Sequence, residues 1–226
     1  MFTGHIGAAL AIGRAERGVN VGLFITAALM LDFLLWLFVL VGWESVAIPA
    51  NFAATHQPEF VFAYSHGLLA SVAWSGLAGL VGSVFYSQPR SKWRVGALLA
   101  LAVLSHWVLD AMVHRRELPL AGSASPAVGL GLWSNLPLAL LLEAAIVAVG
   151  LLLFISGTNV GRRRSIALTV LTAVAMVFTA IGMTVAPAPP SAMAMAATSL
   201  ATLVFVCVLA GWCGSFFREA GQLEQQ

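Results

Sequence analysis

His106 and Asp110 stand four residues apart, and His114 follows at the next interval of four. On a helix, positions i, i+4 and i+8 stack along one face, so an imidazole and a carboxylate can reach one ion with a second imidazole above them. Imidazole nitrogen and carboxylate oxygen suit zinc, at distances of about 2.0–2.1 Å, and also manganese or iron. A core histidine bonded to the aspartate of its own helix would show the same spacing. Three more ionisable residues lie in apolar stretches: Asp32, His66 in Tyr64-Ser65-His66-Gly67, and Glu143. His5 sits near the start, in Thr3-Gly4-His5-Ile6-Gly7. None of these stretches carries a Lys or Arg at its centre to neutralise the carboxylates.

The elements that must position these residues follow from composition. The chain has 226 residues, of which 60% are hydrophobic and 9% charged, with mean hydropathy +0.94. A soluble domain carries roughly 25% charged residues. Nine per cent cannot cover the surface of a soluble domain of this size, which excludes a soluble enzyme, a nucleic-acid binder and a disordered chain. The apolar runs are continuous rather than alternating, so helices are expected and a β-barrel is not. The expected class is an all-α, polytopic membrane protein in one domain, 1–226. It has about six spans, each needing about 20 apolar residues: 21–42, 60–85, 95–113, 129–156, 165–186 and 192–217. Met1–Gly13 is too short to span and reads as an interfacial or half-inserted helix; without a basic start, it does not read as a cleaved signal peptide. The segments 88–92, 158–161 and 187–190 read as turns or loops. Cys207 and Cys213 are six apart, on different faces of one helix, so no disulfide between them is expected.

Lys and Arg divide unevenly between alternate loops. Arg14, Arg17, Arg90, Lys92, Arg94, Arg162, Arg163, Arg164 and Arg218 fall on one side, and only Arg115 and Arg116 on the other. The positive-inside rule makes the first side cytoplasmic, with the C-terminus there and the loops at 43–59, 114–128 and 187–191 outside. At about 1.5 Å per residue, Asp32, His66, His106, Asp110 and Glu143 then fall in the middle to outer part of the bilayer. Ionisable groups there cost about 2.5–3.5 kcal/mol each on insertion scales and mark function. Three carboxylates in hydrocarbon must be protonated or bound to a cation. The metal ligands expected are His5, Asp32, His66, His106, Asp110 and His114. Glu143 or Asp110 is the expected general base. Arg115 and Arg116 read either as a pair reaching the headgroup level or as a clamp for a substrate phosphate, which guanidinium grips bidentately. His56, among polar neighbours, reads as solvated.

The segments Met1-Phe2-Thr3-Gly4-His5, Met30-Leu31-Asp32, Tyr64-Ser65-His66-Gly67-Leu68-Leu69 and Ser105-His106-Trp107-Val108-Leu109-Asp110 resemble the bacterial membrane-bound metal-dependent hydrolase family. The stretches at 114–120 and 129–133, with Pro137 and Glu143, look like a subgroup of it. The resemblance covers residues 1–145. It implies a multi-helix inner-membrane protein with hydrolase activity, distantly similar to zinc-dependent phospholipase C, with His5, Asp32, His66, His106 and Asp110 as ligands. This chain departs from the family pattern in three places. Asp32 stands alone where the family pairs two aspartates, Gly67 follows His66 where a serine is usual, and the upstream histidine is missing. The departures imply one or two ions rather than three.

The function expected is a membrane hydrolase in which water activated by a divalent metal, zinc by preference, attacks a lipid-type ester or phosphoester from the outer side. Residues 146–226 are read as supporting helices, and the lipid bilayer is the expected surrounding, with no nucleic-acid partner. A metal or proton transporter would use the same residues but needs polar groups continuing to the inner side. A haem electron-transfer subunit would use His66 and His106 but has no need of aspartates. A structural subunit would use the cluster only to join helices.

Overall fold

Nine α-helices, one 3-10 turn and two short β-hairpins make up residues 1–86, 92–158 and 160–215, the part of the chain that the computed structural model describes. The architecture is all-α. The helices are α1 (Phe2–Gly13), α2 (Val21–Ala28), α3 (Met30–Val41), α4 (Phe52–Thr55), α5 (Leu68–Phe85), α6 (Lys92–Val113), α7 (Leu136–Thr158), α8 (Arg162–Thr184) and α9 (Ala192–Ser215). The helices α5 to α9 are each long and apolar enough to cross a membrane, and the pair α2–α3 makes a sixth if counted as one. Large apolar side chains such as Leu80, Val84, Leu152, Val174, Phe205 and Val208 are exposed on their outward faces, as expected of helices that face lipid.

Three expected spans are drawn differently by the structure. Residues 21–42 are not one helix: α2 and α3 meet at Leu29 (φ −95, ψ 3) with a bend of 49°. Asp32 therefore lies in the first turn of α3, where terminal N–H groups favour a carboxylate, rather than at mid-helix. Residues 60–67 are not helical. Strand β1 (Ser45–Ala47) pairs antiparallel with β2 (Glu59–Val61), and α5 starts only at Leu68. Residues 129–135 hold a 3-10 turn, Leu132–Ser134, before α7. Gly129 (φ +152) packs on the Arg115 carbonyl, where no side chain fits, and Leu130 N donates to Ala111 O at 2.9 Å, closing the end of α6. A second hairpin joins β3 (Leu118–Pro119) to β4 (Ala127–Val128). Ser87 to Ser91, Asn159 and the chain beyond Ser215 lie outside the described residues, and with them Arg90, Arg218 and most of the expected 88–92 turn.

The helix α1 is too short to span, as expected, and packs inside the bundle. It is enclosed by α2, α6, α7 and α8, and Ile6, Ala9 and Leu10 are fully buried. Glycine makes that approach possible. A Cβ on Gly150 of α7 would overlap the Gly7 carbonyl, and one on Gly7 would stand 2.6 Å from Ile146 O. Similar contacts seat α2 on α9 (Gly22 against Gly211) and α5 on α6 (Gly96 against Gly79). Small residues are what let apolar helices pack backbone to backbone where no hydrophobic force drives them together. The substitution Gly150→Ala should therefore destabilise the protein by about 1–3 kcal/mol, the usual cost of overpacking. Gly182→Ala, with open space at its Cβ, should be neutral or slightly stabilising. Thermal unfolding of both variants in detergent micelles checks the contrast.

Candidate metal centre

His106 and Asp110 project from the buried face of α6, at 0% and 2% exposure. His106 Nδ1 lies 2.6 Å from the carbonyl oxygen of Ala28, the last residue of α2. A carbonyl only accepts, so in a neutral ring Nδ1 carries the proton and the Nε2 lone pair faces inward. That nitrogen stands 3.1 Å from Asp110 Oδ2 and 3.1 Å from His66 Nε2.

His66 comes from the loop before α5 and is 1% exposed under the ring of Phe62. Its Nδ1 is 2.8 Å from Ser65 Oγ, and that hydroxyl in turn donates to Glu44 Oε2 at 2.6 Å. His66 Nε2 lies 3.5 Å from Asp110 Oδ2 and 3.6 Å from Asp32 Oδ1. Asp32 Oδ1 is also 3.7 Å from His106 Nε2. The pair of Nε2 atoms thus forms a triangle with each carboxylate in turn, with edges of 3.1–3.7 Å. Two ligands about 2.0–2.1 Å from a tetrahedral ion lie about 3.3–3.4 Å apart.

The remaining predicted ligands sit around this core. His5 stacks on His106, ring centroids 3.6 Å apart, and its Nε2 is 3.2 Å from Asp110 Oδ1 without the alignment of a hydrogen bond. The Met1 amino group donates to the same oxygen at 2.8 Å. His114 turns Nδ1 to Glu117 Oε1 at 2.6 Å and places Nε2 3.7 Å from Asp110 Oδ2. Two overlapping groups, His66–His106–Asp110 and His5–Asp32–His106, bring their ligand atoms within 4.8 Å of one another and could hold a metal ion. His114 belongs to neither group.

Beside the cluster is a cavity of about 310 Å³, lined by Asp32, His66, Asp110 and His114 and walled by apolar side chains including Trp36, Phe60 and Phe62. Phe178 of α8 and Thr198, Ser199, Thr202 and Leu203 of α9 complete the wall. Those two helices, read from sequence as support alone, reach the site.

Glu143 is brought close but faces elsewhere. Its Oε2 accepts from Thr3 N at 3.0 Å, Thr3 Oγ1 at 2.5 Å and Gly4 N at 3.3 Å. It closes the N-terminus of α1, a reason for a buried carboxylate that needs no base chemistry, and it is not among the residues lining the cavity. Arg115 and Arg116 are exposed; Arg115 donates to Gln57 Oε1 at 3.1 Å, in a small polar pocket with Glu59 and Glu117, and neither arginine lines the main cavity. His56 caps α4 at φ 50, half-buried and away from the cluster.

Sequence reasoning missed Glu44, Ser65 and the Ala28 carbonyl. One signal for Glu44 was present: it lies in a loop, 43–59, with no Lys or Arg. The geometry also excludes haem ligation by His66 and His106, because Nε2 atoms 3.1 Å apart are too close to lie on opposite faces of a macrocycle. No family model, curated protein or solved structure matches this chain.

Replacing Glu143 by Leu should leave the Thr3 and Gly4 amides without an acceptor and cost about 1–3 kcal/mol. It should also release α1, making the 14–20 turn sensitive to protease. Denaturation curves and limited proteolysis in micelles check both expectations.

Proposed function

We propose that this chain is a membrane-embedded, metal-dependent hydrolase that cleaves an ester or phosphoester of a lipid from the outer face of a bacterial cytoplasmic membrane. The observation that carries the reading is the convergence of acceptors. His106 Nε2 presents a lone pair to His66 Nε2 and two carboxylates, beside a cavity open enough for a substrate group. Such a set calls for a cation or a shared proton at its centre, and the lone pair on His106 Nε2 favours the cation.

Zinc fits the donors best. Two imidazoles and one or two carboxylates form a common catalytic zinc set with a position left open. His106 has one nitrogen to give, since the other is held by Ala28, so the two overlapping groups serve a single ion through it. When bound, such an ion lowers the pKa of coordinated water towards about 7 and polarises an ester or phosphoryl oxygen. The chain's residues do the rest. Asp110 Oδ2 and the two Nε2 atoms hold the ion, and Asp32 reaches it from the helix break. His114, oriented by Glu117 as a general base is by its carboxylate, faces the cavity and can take up or return a proton at Nε2. Trp36, Phe60 and Phe62 exclude water and suit an acyl chain. The uneven Lys and Arg distribution supports placing the hairpin end of the bundle outside.

One observation favours a second reading as an ion transporter. The bend between α2 and α3, with Asp32 at the start of a half-helix, is the device by which transporters build ion sites within the membrane.

Purified protein should contain one zinc per chain by elemental analysis, and His106→Ala should contain none. Full metal content in that variant refutes the site. Turnover of a fluorogenic phospholipid in vesicles, lost in His106→Ala, supports the hydrolase; metal uptake by sealed vesicles with no turnover supports the transporter instead.

A further inference from the structure

Glu44 lies outside the long helices, yet it is 4% exposed and the proposed chemistry makes no use of it. α3 ends at Gly42, whose left-handed conformation (φ 78) turns the chain back, so that Trp43 N and Glu44 N both reach Phe38 O, at 2.8 and 3.2 Å. This return places the Glu44 carboxylate beneath the loop that carries His66. Oε1 accepts from Tyr64 N at 2.7 Å and Ser65 N at 2.8 Å, and Oε2 accepts from Ser65 Oγ at 2.6 Å. All three donors are neutral.

The consequence lies in the Ser65 proton. A hydroxyl has one hydrogen to give, and a carboxylate can only accept. Charge-assisted bonds to a carboxylate are roughly twice as strong as neutral ones, so the Ser65 proton goes to Glu44. Ser65 Oγ, 2.8 Å from His66 Nδ1, is then left as an acceptor, and Nδ1 must carry the imidazole proton. His66 Nε2 is left with a lone pair, 3.1 Å from His106 Nε2 and 3.5–3.6 Å from Asp110 and Asp32. A serine without the carboxylate could equally donate to Nδ1 and drive the proton to Nε2, where it would block an ion.

We propose that Glu44, acting through Ser65, is a positioning residue that locks His66 in the tautomer whose Nε2 is free to bind the ion. Ligating histidines commonly give their other N–H to a second acceptor, and loss of that partner typically costs about 10–100-fold in metal affinity. Here a hydroxyl stands between ring and carboxylate, and the carboxylate decides which way it points. The link to metal affinity rests on the metal reading above; the tautomer does not.

Two measurements separate the two ideas. The first is nitrogen-15 NMR of histidine-labelled, metal-free protein in micelles, with the His66 signals assigned through His66→Gln. Wild type should show His66 protonated at Nδ1. In Glu44→Gln the new amide can donate to Ser65 Oγ, so the hydroxyl turns to the ring and His66 should become protonated at Nε2. Ser65→Thr, which keeps the hydroxyl, should retain the wild-type tautomer, and Ser65→Ala should lose it. The second measurement is zinc affinity by competition with a chromophoric chelator. Glu44→Gln and Ser65→Ala should weaken binding by about 10–100-fold, and Ser65→Thr should not. Nδ1 protonation that persists in Glu44→Gln overturns the proposal, as does its persistence in Ser65→Ala should Glu44→Gln fail to fold. A wild-type protein with the expected tautomer but no affinity for zinc overturns the metal reading and leaves the control of the His66 tautomer by Glu44 standing.

Discussion

Everything in this bundle answers to one electrostatic constraint: acceptors are gathered in an apolar interior. His66 and His106 turn their Nε2 atoms towards each other and towards Asp110 and Asp32, at separations of 3.1–3.7 Å. Left to themselves these groups repel, and burial strengthens the repulsion because the surroundings screen so little. They stay together because the chain holds each from behind. Ala28 O grips His106, Ser65 grips His66 and Glu117 grips His114. Each grip fixes a ring whose far nitrogen faces the cluster. Held this way, the side chains could share a metal ion, and the Met1 ammonium already pairs with Asp110 through Oδ1.

Helix packing must bring these residues close without covering them. The glycines do this. With Gly7 against Gly150, α1 lies deep enough to bring His5 onto His106. With Gly22 against Gly211, α2 seats on α9, whose residues 198–203 supply one wall of the cavity. Glu143 belongs to the same design. By accepting the first amides of α1 it satisfies a helix end that no water reaches, and so secures the element that carries His5.

The helical class and five of the long helices could be read from composition and run length, because apolar runs of this kind have few other outcomes. The approach of His106, Asp110, His66 and Asp32 could be read from their depth along those runs. What could not be read were the interruptions. Leu29 is neither Gly nor Pro, so the break before Asp32 leaves no mark in composition. Phe60, Val61 and Phe62 are as apolar as any helix interior, so residues 60–67 looked like the start of a span. In the structure they form the end of a β-hairpin and the loop that carries His66. Glu143 was misread for a related reason. A buried carboxylate looks the same in sequence whether it meets substrate or caps a helix, and only the position of Thr3 and Gly4 decides between them.

Those interruptions have a common cause. Inside an α-helix every backbone N–H is already paired, so in an apolar bundle the helix interior has no amide to give a buried carboxylate, and its carbonyls are met by local hydroxyls such as Ser75 and Thr172. Spare N–H donors exist only at helix ends and in loops. The polar contacts that hold the site are found there. His106 uses the last carbonyl of α2, Glu143 the first amides of α1, Glu44 the amides of the loop before α5, and Asp32 occupies the first turn of α3. His106 and Asp110, on the unbroken α6, take their support from those other elements and from each other. A bundle of straight, uninterrupted helices could bury the same histidines and aspartates, but it could not orient them. The broken α2–α3 pair and the loop before α5 are therefore requirements of the site, set by where the backbone still has hydrogen bonds to give.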